Sequence, residues 1–213
     1  MRISSIQKLR NNVEIYFEDG LKIKLDYRVV FDNGLRRNDD LDEEKVNSLL
    51  SQSEKLKIKD SAFRFLARRH HSSQEIFKKL LNKGYKKEDI SAVLEKMKRD
   101  GFVDDLLFAK AFAEEKLTKK KLGLIKVKAE LMKKGVDRRI IDAALSHADS
   151  SMMESNAVLL IEKKMKFLKG KESDEKKIKQ KLFSFLYSKG FDSEIITSAL
   201  NKLNIGGDEN FDL

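Results

Sequence analysis

The segment LMKKGVDRRIIDAAL, residues 131–145, places a leucine, a Lys-Gly pair, an isoleucine and a second leucine at fixed intervals. The same residue types recur in register in residues 80–94 and 186–200. This recurrence indicates that one supersecondary unit is repeated along the chain. Stacked units present an extended surface and no enclosed cleft, so the pattern favours binding over catalysis. The matched positions are Leu80, Lys83, Gly84, Ile90 and Leu94; Leu131, Lys134, Gly135, Ile141 and Leu145; and Leu186, Lys189, Gly190, Ile196 and Leu200.

Each copy predicts two helices separated by a turn. An apolar residue lies four positions before the first leucine, which is helical spacing. Glycine is typical just beyond a helix end because it adopts a left-handed conformation without steric cost, and the lysine beside it complements the helix dipole. The isoleucine and leucine after the turn belong to a second amphipathic helix. Asp137 and Asp192 are its predicted N-caps in two copies, whereas Lys86 leaves the first copy with a weaker cap.

A further helix is predicted before each pair. Its apolar stripe precedes a capping box, Ser72-x-x-Glu75, in the first copy, follows Asp104-Asp105 in the second, and includes Ala157–Ile161 in the third. A helix of about 10–14 residues cannot bury its apolar face alone, so neighbouring repeats must cover one another. We therefore predict an all-α body in which three tandem three-helix repeats form an elongated array. These repeats cover residues 60–100, 101–150 and 151–205.

The composition agrees with exposed helices. The 213 residues are 40% hydrophobic and 38% charged, and they include no proline and no cysteine. The absence of cysteine excludes disulfides and thiolate metal sites. The apolar runs are too short for a membrane span and the N-terminal residues do not resemble a signal peptide, so we expect a cytoplasmic protein that does not bind a membrane. The glycine-rich, acidic residues 206–213 are expected to form a frayed, flexible tail.

Residues 1–59 have a different pattern. Val13–Phe17 and Leu21–Leu25 each alternate apolar with polar residues, and Asp19-Gly20 lies between them. Asp-Gly between two alternating runs is a strong signal for a β-hairpin. A hairpin alone is marginally stable, so we expect this one to pack on a helix predicted near Asp42–Ser53.

The net charge of +10 is concentrated in one part of the chain. Residues 60–150 carry +8 of it, and the residues on either side carry +1 each. Within that range the basic window, residues 116–139, contains ten basic and two acidic residues, and it therefore accounts for the whole excess. Helical spacing places Lys126 and Lys133 together on a face directed away from the core.

The basic window is predicted to bind a polyanion. Isolated lysines usually solvate helices, but ten cations with two anions set up a field that attracts a phosphate backbone. Arg68-Arg69 and His70-His71 extend the basic character into the first repeat. No aromatic residue lies within the window, so we expect contacts to phosphates with little sequence recognition. The candidate contacts are Arg68, Arg69, Lys119, Lys120, Lys121, Lys126, Lys128, Lys133, Lys134, Arg138 and Arg139.

Groups suited to catalysis are sparse. The chain has three histidines, no cysteine, no glycine-rich phosphate loop and no HExxH motif. Asp104-Asp105 could form a metal pair, but a helix N-cap explains it better. His70-His71 at a helix end is better explained as a complement to the helix dipole than as a ligand pair. The sequence therefore predicts neither an enzyme nor a cofactor or metal site.

Three runs of residues accompany the Lys-Gly repeats: Phe65-Leu66-Ala67-Arg68-Arg69 with Ser72-x-x-Glu75-Ile76; Gly101-Phe102-Val103-Asp104-Asp105-x-x-Phe108-Ala109; and Gly123-x-x-x-Val127-x-x-Glu130-Leu131. Together these motifs resemble the RecX family, whose members regulate the RecA recombinase. The resemblance covers residues 60–145 and extends to residue 204 through the third repeat. The first 55 residues carry little of it.

This resemblance implies a curved array of three-helix repeats that lies in the helical groove of the RecA filament on DNA. Such a protein spans neighbouring RecA subunits, inhibits ATP hydrolysis, strand exchange or filament growth in DNA repair and homologous recombination, needs no cofactor, and is a monomer. The family offers no catalytic residue to transfer. Arg68, Arg69, Glu75, Asp104 and Asp105 match its polar motif positions. We interpret the carboxylates as helix caps and only the arginines as contacts.

Two other functions remain open at this stage. A free-standing DNA-binding protein built from helix-turn-helix-like units would bind duplex DNA tightly without RecA. A nuclease that uses Asp104 and Asp105 would cleave DNA in a metal-dependent manner. Inhibition of a filament predicts that reversing Lys126 and Lys133 to glutamate weakens the effect without unfolding the protein, because both side chains are expected to point away from the core.

Overall fold

The structure is a computed structural model, and it describes residues 1–168 and 174–205. The predicted tail at residues 206–213 lies outside the described residues. In the described part, a small sheet is followed by helices that account for most of the chain, so the predicted all-α body with a small N-terminal β segment is confirmed. The contacts divide the chain into two compact units. The first unit is Met1–His71 with Glu75–Val103, and the second is Ser72–Gln74 with Asp104–Leu213.

The sheet in the first unit is antiparallel and has the strand order β1 Ile3–Leu9, β2 Asn12–Phe17, β3 Lys22–Asp26. The predicted hairpin is β2 with β3, in which Ile15 pairs with Ile23. The sequence did not predict β1. Of its seven residues only Ile3 is buried, so the strand lacks the apolar alternation that identifies the other two.

The chain leaves the sheet through two helices, α1 Tyr27–Asp32 and α2 Glu43–Leu66. We expected one helix near residues 42–53 and another that carries the first apolar stripe of repeat one. The structure has a single helix of 24 residues instead. No glycine or proline lies between residues 43 and 66, so nothing in the sequence ends the helix between the two segments. One half of α2 packs on the sheet through Val46 and Leu49, and the other half enters the core of repeat one through Ile58.

Repeat one is completed by α3 Ser73–Leu81 and α4 Lys87–Arg99. Lys86 precedes α4 and makes no side-chain hydrogen bond to the helix start, as predicted. The apolar residues of the repeat motif form the centre of the core. Ile76, Leu80, Ile90 and Leu94 are all buried.

Repeats two and three have the same plan in the second unit. Asp137 and Asp192 each accept a backbone N–H bond at the start of a third helix, so both predicted N-caps are confirmed. The leucines and isoleucines of the motif are buried in both repeats, which confirms that they form the cores. The helices are α5 Asp105–Glu114, α6 Leu124–Lys133, α7 Arg138–Leu145, α8 Ser150–Leu168, α9 Glu175–Ser188 and α10 Ser193–Lys202.

The N-terminus of α6 lies directly on the Lys-Gly turn that ends α9. Gly123 N donates to Lys189 O at 3.0 Å, and Ile125 N donates to Gly190 O at 3.1 Å. The first amides of a helix have no partner within it, and here the carbonyls at the end of another helix accept them. Gly123 permits this approach, because a Cβ at that position would overlap with the carbonyl group of Gly190.

A second Lys-Gly turn is used in the same way. The hydroxyl of Ser72 donates to Lys134 O at 2.7 Å, and a Cβ at Gly135 would overlap with the side chain of Gln74. Both turns therefore accept the segment that opens the middle helix of the preceding repeat. The remaining glycine of the motif, Gly84, has open space around its Cβ position. The Lys-Gly pair is thus a helix end in all three repeats and a docking point in two of them.

Candidate nucleic-acid interface

The basic window runs from the end of α5 through α6 into the first turn of α7. At its start, α5 continues into a π-helical turn, Glu115–Lys119, in which Lys120 N donates to Glu115 O. The ten cations of the window divide by their contacts into five that are bound within the second unit and five that are exposed. The bound group is Lys116, Lys121, Lys126, Lys128 and Lys134; the exposed group is Lys119, Lys120, Lys133, Arg138 and Arg139.

Two of the bound lysines lie over aromatic rings. The ammonium group of Lys116 is 4.9 Å from the centroid of the Phe112 ring and 3.0 Å from Glu130 Oε2. The ammonium group of Lys134 is 5.3 Å from the same centroid and 6.0 Å from that of Phe108. These cation–π contacts cover the partly exposed edge of the repeat-two core. Both lysines therefore stabilise the repeat, and Lys134 is poorly placed to act as a free phosphate contact.

Lys121 holds the π-helical turn together with a buried asparagine. Asn156 in α8 donates from Nδ2 to Leu117 O at 3.0 Å, and its Oδ1 accepts from Lys121 Nζ at 3.0 Å. A π-helical turn displaces the regular helix donors, so a carbonyl inside it needs another partner. Lys121 also adopts a φ of 52°, a left-handed conformation that is uncommon for lysine. The role of Lys121 is therefore structural. Asn156 was not predicted as a functional residue, and its signal in the sequence is a lone polar residue in a buried apolar stripe.

Replacing Asn156 by alanine is expected to reduce the free energy of unfolding by about 1–3 kcal/mol, because Leu117 O would be left buried without a donor. Urea denaturation measures this change. The matched control is Ser155→Ala, since Ser155 is the exposed neighbour in the same helix and its replacement should cost less than about 0.5 kcal/mol. Equal stability of the two variants would show that Asn156 does not support the turn.

The other two bound lysines, Lys126 and Lys128, lie on α6, and the contact of Lys126 shows that the helix is oriented differently from the prediction. Lys126 is half-buried, and its ammonium group donates to Ser188 O at 3.0 Å at the end of α9. We predicted that Lys126 lies on an outer face with Lys133, and this prediction is wrong because the turn after α9 covers that side of α6. Lys128 pairs with Asp142 at 3.0 Å. Reversal of Lys126 would consequently disturb the packing of two repeats, which makes it a poor test of binding.

The exposed group supplies the cations that are available to a polyanion. The side chains of Lys119, Lys120, Lys133 and Arg139 form no hydrogen bond or ion pair with other described residues. Arg138 is 84% exposed and lies 3.9 Å from Asp142, a distance that gives little stabilisation. Lys119 and Lys120 are adjacent at the end of the π-helical turn, and they are the most direct candidates for phosphate contacts in the second unit.

In the first unit, the two arginines of the candidate site have different environments. Arg68 is exposed. Arg69 forms a two-pronged ion pair with Glu75, from Nη1 at 3.1 Å and from Nη2 at 3.3 Å, and Nη1 also donates to His70 O. Arg69 therefore orients the segment that leads into α3. Of the two arginines, Arg68 is the one whose exposed guanidinium has no such partner among the described residues.

We had expected His70-His71 to complement a helix dipole. His71 is instead buried in the first unit. Its ring packs edge-on against Phe65, and Nδ1 lies 3.3 Å from Glu75 Oε2. Burial, reinforced by the nearby charge of Arg69, lowers the pKa of His71 below its ordinary value of 6.5, although Glu75 opposes this change. At neutral pH the ring is therefore neutral and has a packing role.

The first unit is expected to lose stability as the pH falls below 6.5. A histidine whose pKa is lowered by folding takes up its proton in the unfolded chain at a higher pH than in the folded protein. Its contribution to the free energy of unfolding is therefore complete above pH 6.5 and declines as the pH drops through the pKa of the folded state. Thermal unfolding of the wild type and of His71→Gln, followed across that range, tests this expectation. A pH dependence that is identical in both proteins would assign it to other groups.

Asp104 and Asp105 both act at helix N-termini, but at two different helices. Asp104 caps α5 by accepting from Leu106 N and Leu107 N. Asp105 accepts from the backbone N–H of Ser73 at 2.7 Å and from its hydroxyl at 2.6 Å, and so holds the start of α3. The sequence identified both residues as caps, but adjacency in the chain gave no sign that the second caps a distant helix.

Within residues 1–168 and 174–205, no group of three or more His, Cys, Asp or Glu side chains is placed to hold a metal ion. Over the same residues, no helix has both the length and the apolar character needed to cross a membrane.

Comparison with known proteins gives the same family as the sequence motifs. Family models of RecX match three stretches: the first three-helix domain matches residues 59–97, the second matches 104–145, and the third matches 154–200. The regulatory protein RecX of Clostridium perfringens is 30% identical over 205 residues, which cover 95% of this chain and 96% of the relative. That of Prosthecochloris aestuarii is 39% identical over 154 residues, which cover 72% and 98%.

Two solved structures have the same fold. A crystal structure of regulatory protein RecX superposes with a TM-score of 0.79 at 21% identity and covers 94% of this chain and 98% of its own. The crystal structure of RecX from Lactobacillus salivarius gives a TM-score of 0.66 at 22% identity, with 71% and 97% covered. Since the three domain models together match more than half of the chain and a relative with 30% identity extends over nearly all of it, this chain belongs to the RecX family.

Proposed function

We propose that this protein is a non-catalytic regulator that binds in the groove of the RecA–DNA filament and reduces both ATP hydrolysis and strand exchange during DNA repair and recombination. Family membership supports the regulatory role. The observation that carries the proposed mode of binding is the exposed group of cations. Four of its five members, Lys119, Lys120, Lys133 and Arg139, have side chains without a partner among the described residues.

These cations suit a phosphate backbone. Each lysine or arginine that neutralises a phosphate releases condensed counterions, which is the main source of affinity in binding without sequence recognition. No aromatic side chain lies in the basic window to stack on bases. DNA is accordingly a partner that the protein contacts through phosphates, and sequence recognition is not part of the proposed role.

In the proposed mode of binding, a monomer spans neighbouring RecA subunits through its three repeats, residues 60–100, 101–150 and 151–205. Asp104 and Asp105 have no catalytic role in it. Their carboxylates accept hydrogen bonds from Leu106 and Ser73, respectively, and a metal would have to compete with those bonds. This occupancy supports a regulator over a nuclease.

Sedimentation of the protein with RecA filaments on single-stranded DNA, beside the same DNA without RecA, tests the proposal. We expect binding to the filament at salt concentrations that have already released the protein from bare DNA. The reason is that contacts to RecA add a contribution to the binding free energy that depends less on salt. Equal binding to filament and bare DNA at every salt concentration would contradict the proposal. That result would instead favour a free-standing DNA-binding protein of the helix-turn-helix kind.

A further inference from the structure

The exposed face of α6 is apolar along its length. Ile125 is 54% exposed and Met132 is 50% exposed, and Ala129 between them is exposed as well. Residues spaced by four and by three positions lie on the same face of a helix, so these three form one stripe, the α6 stripe. The sequence had suggested a basic face here, because Lys126 was expected outside.

Cations flank the α6 stripe. Lys133 follows Met132 directly and is exposed. Lys128 lies one helical turn before Met132, and its side chain remains 44% exposed while it pairs with Asp142. An apolar centre with a charged edge is the usual composition of a protein-binding surface.

An exposed aromatic residue lies at the end of α9, where α6 begins. Tyr187 is 63% exposed, and its ring stacks on that of Phe183 with 6.4 Å between centroids. It belongs to the last turn of α9, and the carbonyls of Lys189 and Gly190, directly after that helix, accept the amides of Gly123 and Ile125. Tyrosine is enriched in protein interfaces because it combines apolar area with a polar tip.

The α6 stripe and the pair Lys119-Lys120 suit different partners. A phosphate backbone offers nothing to Ile125 or Met132, and contact with it would leave their apolar surface in water or against a charged chain. Methionine adapts to varied apolar surfaces, and a cation beside it attracts carboxylates. We infer that the α6 stripe docks on a RecA subunit through an apolar patch bordered by carboxylates, whereas Lys119 and Lys120 contact the DNA phosphates. This inference rests on the proposed function.

The test compares inhibition of the RecA ATPase with binding to bare single-stranded DNA. For the double variant Ile125→Gln/Met132→Gln, we expect half-inhibition to need about tenfold more protein, while binding to bare DNA stays within about twofold of wild type. The matched control is Leu159→Gln/Phe167→Gln, which removes two exposed apolar side chains from α8 and should change neither measurement.

A second pair of variants tests the sign of the charge at the partner surface. Ala129→Glu places a carboxylate in the stripe and should raise the half-inhibitory concentration more than Ala129→Gln, which adds a side chain of the same size without the charge, and both substitutions are compatible with a helix. Thermal unfolding verifies that all the variants fold.

Three results would overturn the inference. One is wild-type inhibition by the Ile125/Met132 variant, and another is a parallel loss of bare-DNA binding, which would make the stripe a nucleic-acid surface. The third is a wild-type protein that does not inhibit RecA at all. In that case the proposed function itself fails, and the failure is seen before any variant is compared.

Discussion

Replacing Gly123 by alanine is expected to destabilise the second unit by about 2–4 kcal/mol, although the new residue is only one methyl group larger. Its φ of −77° suits alanine, so no backbone strain contributes. The cost arises because the Cβ would overlap with the Gly190 carbonyl group, which itself accepts the amide of Ile125. Hydrogen exchange of the amides at the start of α6 measures the loss directly.

A matched pair of glycines separates crowding from backbone strain. Gly190 and Gly84 both follow a lysine at a helix end, with φ values of +90° and +88°. Alanine at either position incurs the same left-handed strain, about 1–2 kcal/mol. Only at Gly190 does the Cβ also meet another segment, the backbone and Cβ of Lys126, whereas Gly84 has open space. Gly190→Ala should therefore cost clearly more than Gly84→Ala, and equal costs would contradict the docking role of the turn.

The second large effect is expected from reversing the charges of Lys119 and Lys120. In the variant Lys119→Glu/Lys120→Glu, loss of two phosphate contacts should lower the affinity for bare single-stranded DNA at low salt roughly 10–100-fold and reduce the salt slope by about 1.4. Fluorescence anisotropy across a salt series provides both values. We expect no loss of stability, because neither side chain binds another described residue.

The control for that variant is Lys163→Glu/Lys166→Glu. Both lysines are exposed on α8 in the same unit, so the change in net charge is identical. If the two double variants weaken binding equally, the effect follows from total charge, and no local site at the π-helical turn is supported.

The repeat architecture was predictable because the residues that build each core are close in sequence. Ile76 with Leu80, and Ile90 with Leu94, show helical spacing around a single glycine, and local periodicity of this kind is the strongest signal a sequence contains. The N-caps Asp137 and Asp192 were predictable for the same reason, since a cap acts within its own helix turn. These features account for the all-α class and for the three helices in each repeat.

Features that depend on distant contacts were not predictable. The Lys-Gly turn identified a helix end, but nothing local showed that Gly123 would lie against the turn at Gly190. The orientation of α6 followed from that contact. It brought Lys126 to Ser188 O, the reverse of the outward orientation that amphipathic spacing alone had indicated, while Ile125 is exposed.

The contacts of the basic window were also not predictable from the sequence, because they depend on residues that are distant in the chain. Its composition predicted a field of positive charge, but five of its ten cations stabilise the repeat through Glu130, Asp142, Asn156, Ser188 O or aromatic rings. Counting charges cannot distinguish a lysine that binds its own fold from one that is free to bind a partner. Only the positions of acceptors from other helices make that distinction.

The most direct test of the central claim is a titration of this protein into the DNA-dependent ATPase reaction of RecA on single-stranded DNA. Binding of the protein to the same DNA without RecA is measured in parallel at the same salt concentration. A regulator that occupies the filament groove should inhibit ATP hydrolysis at ratios of protein to DNA well below those that saturate the bare DNA. Inhibition that appears only as the DNA becomes coated would contradict the account and identify a general DNA-binding protein.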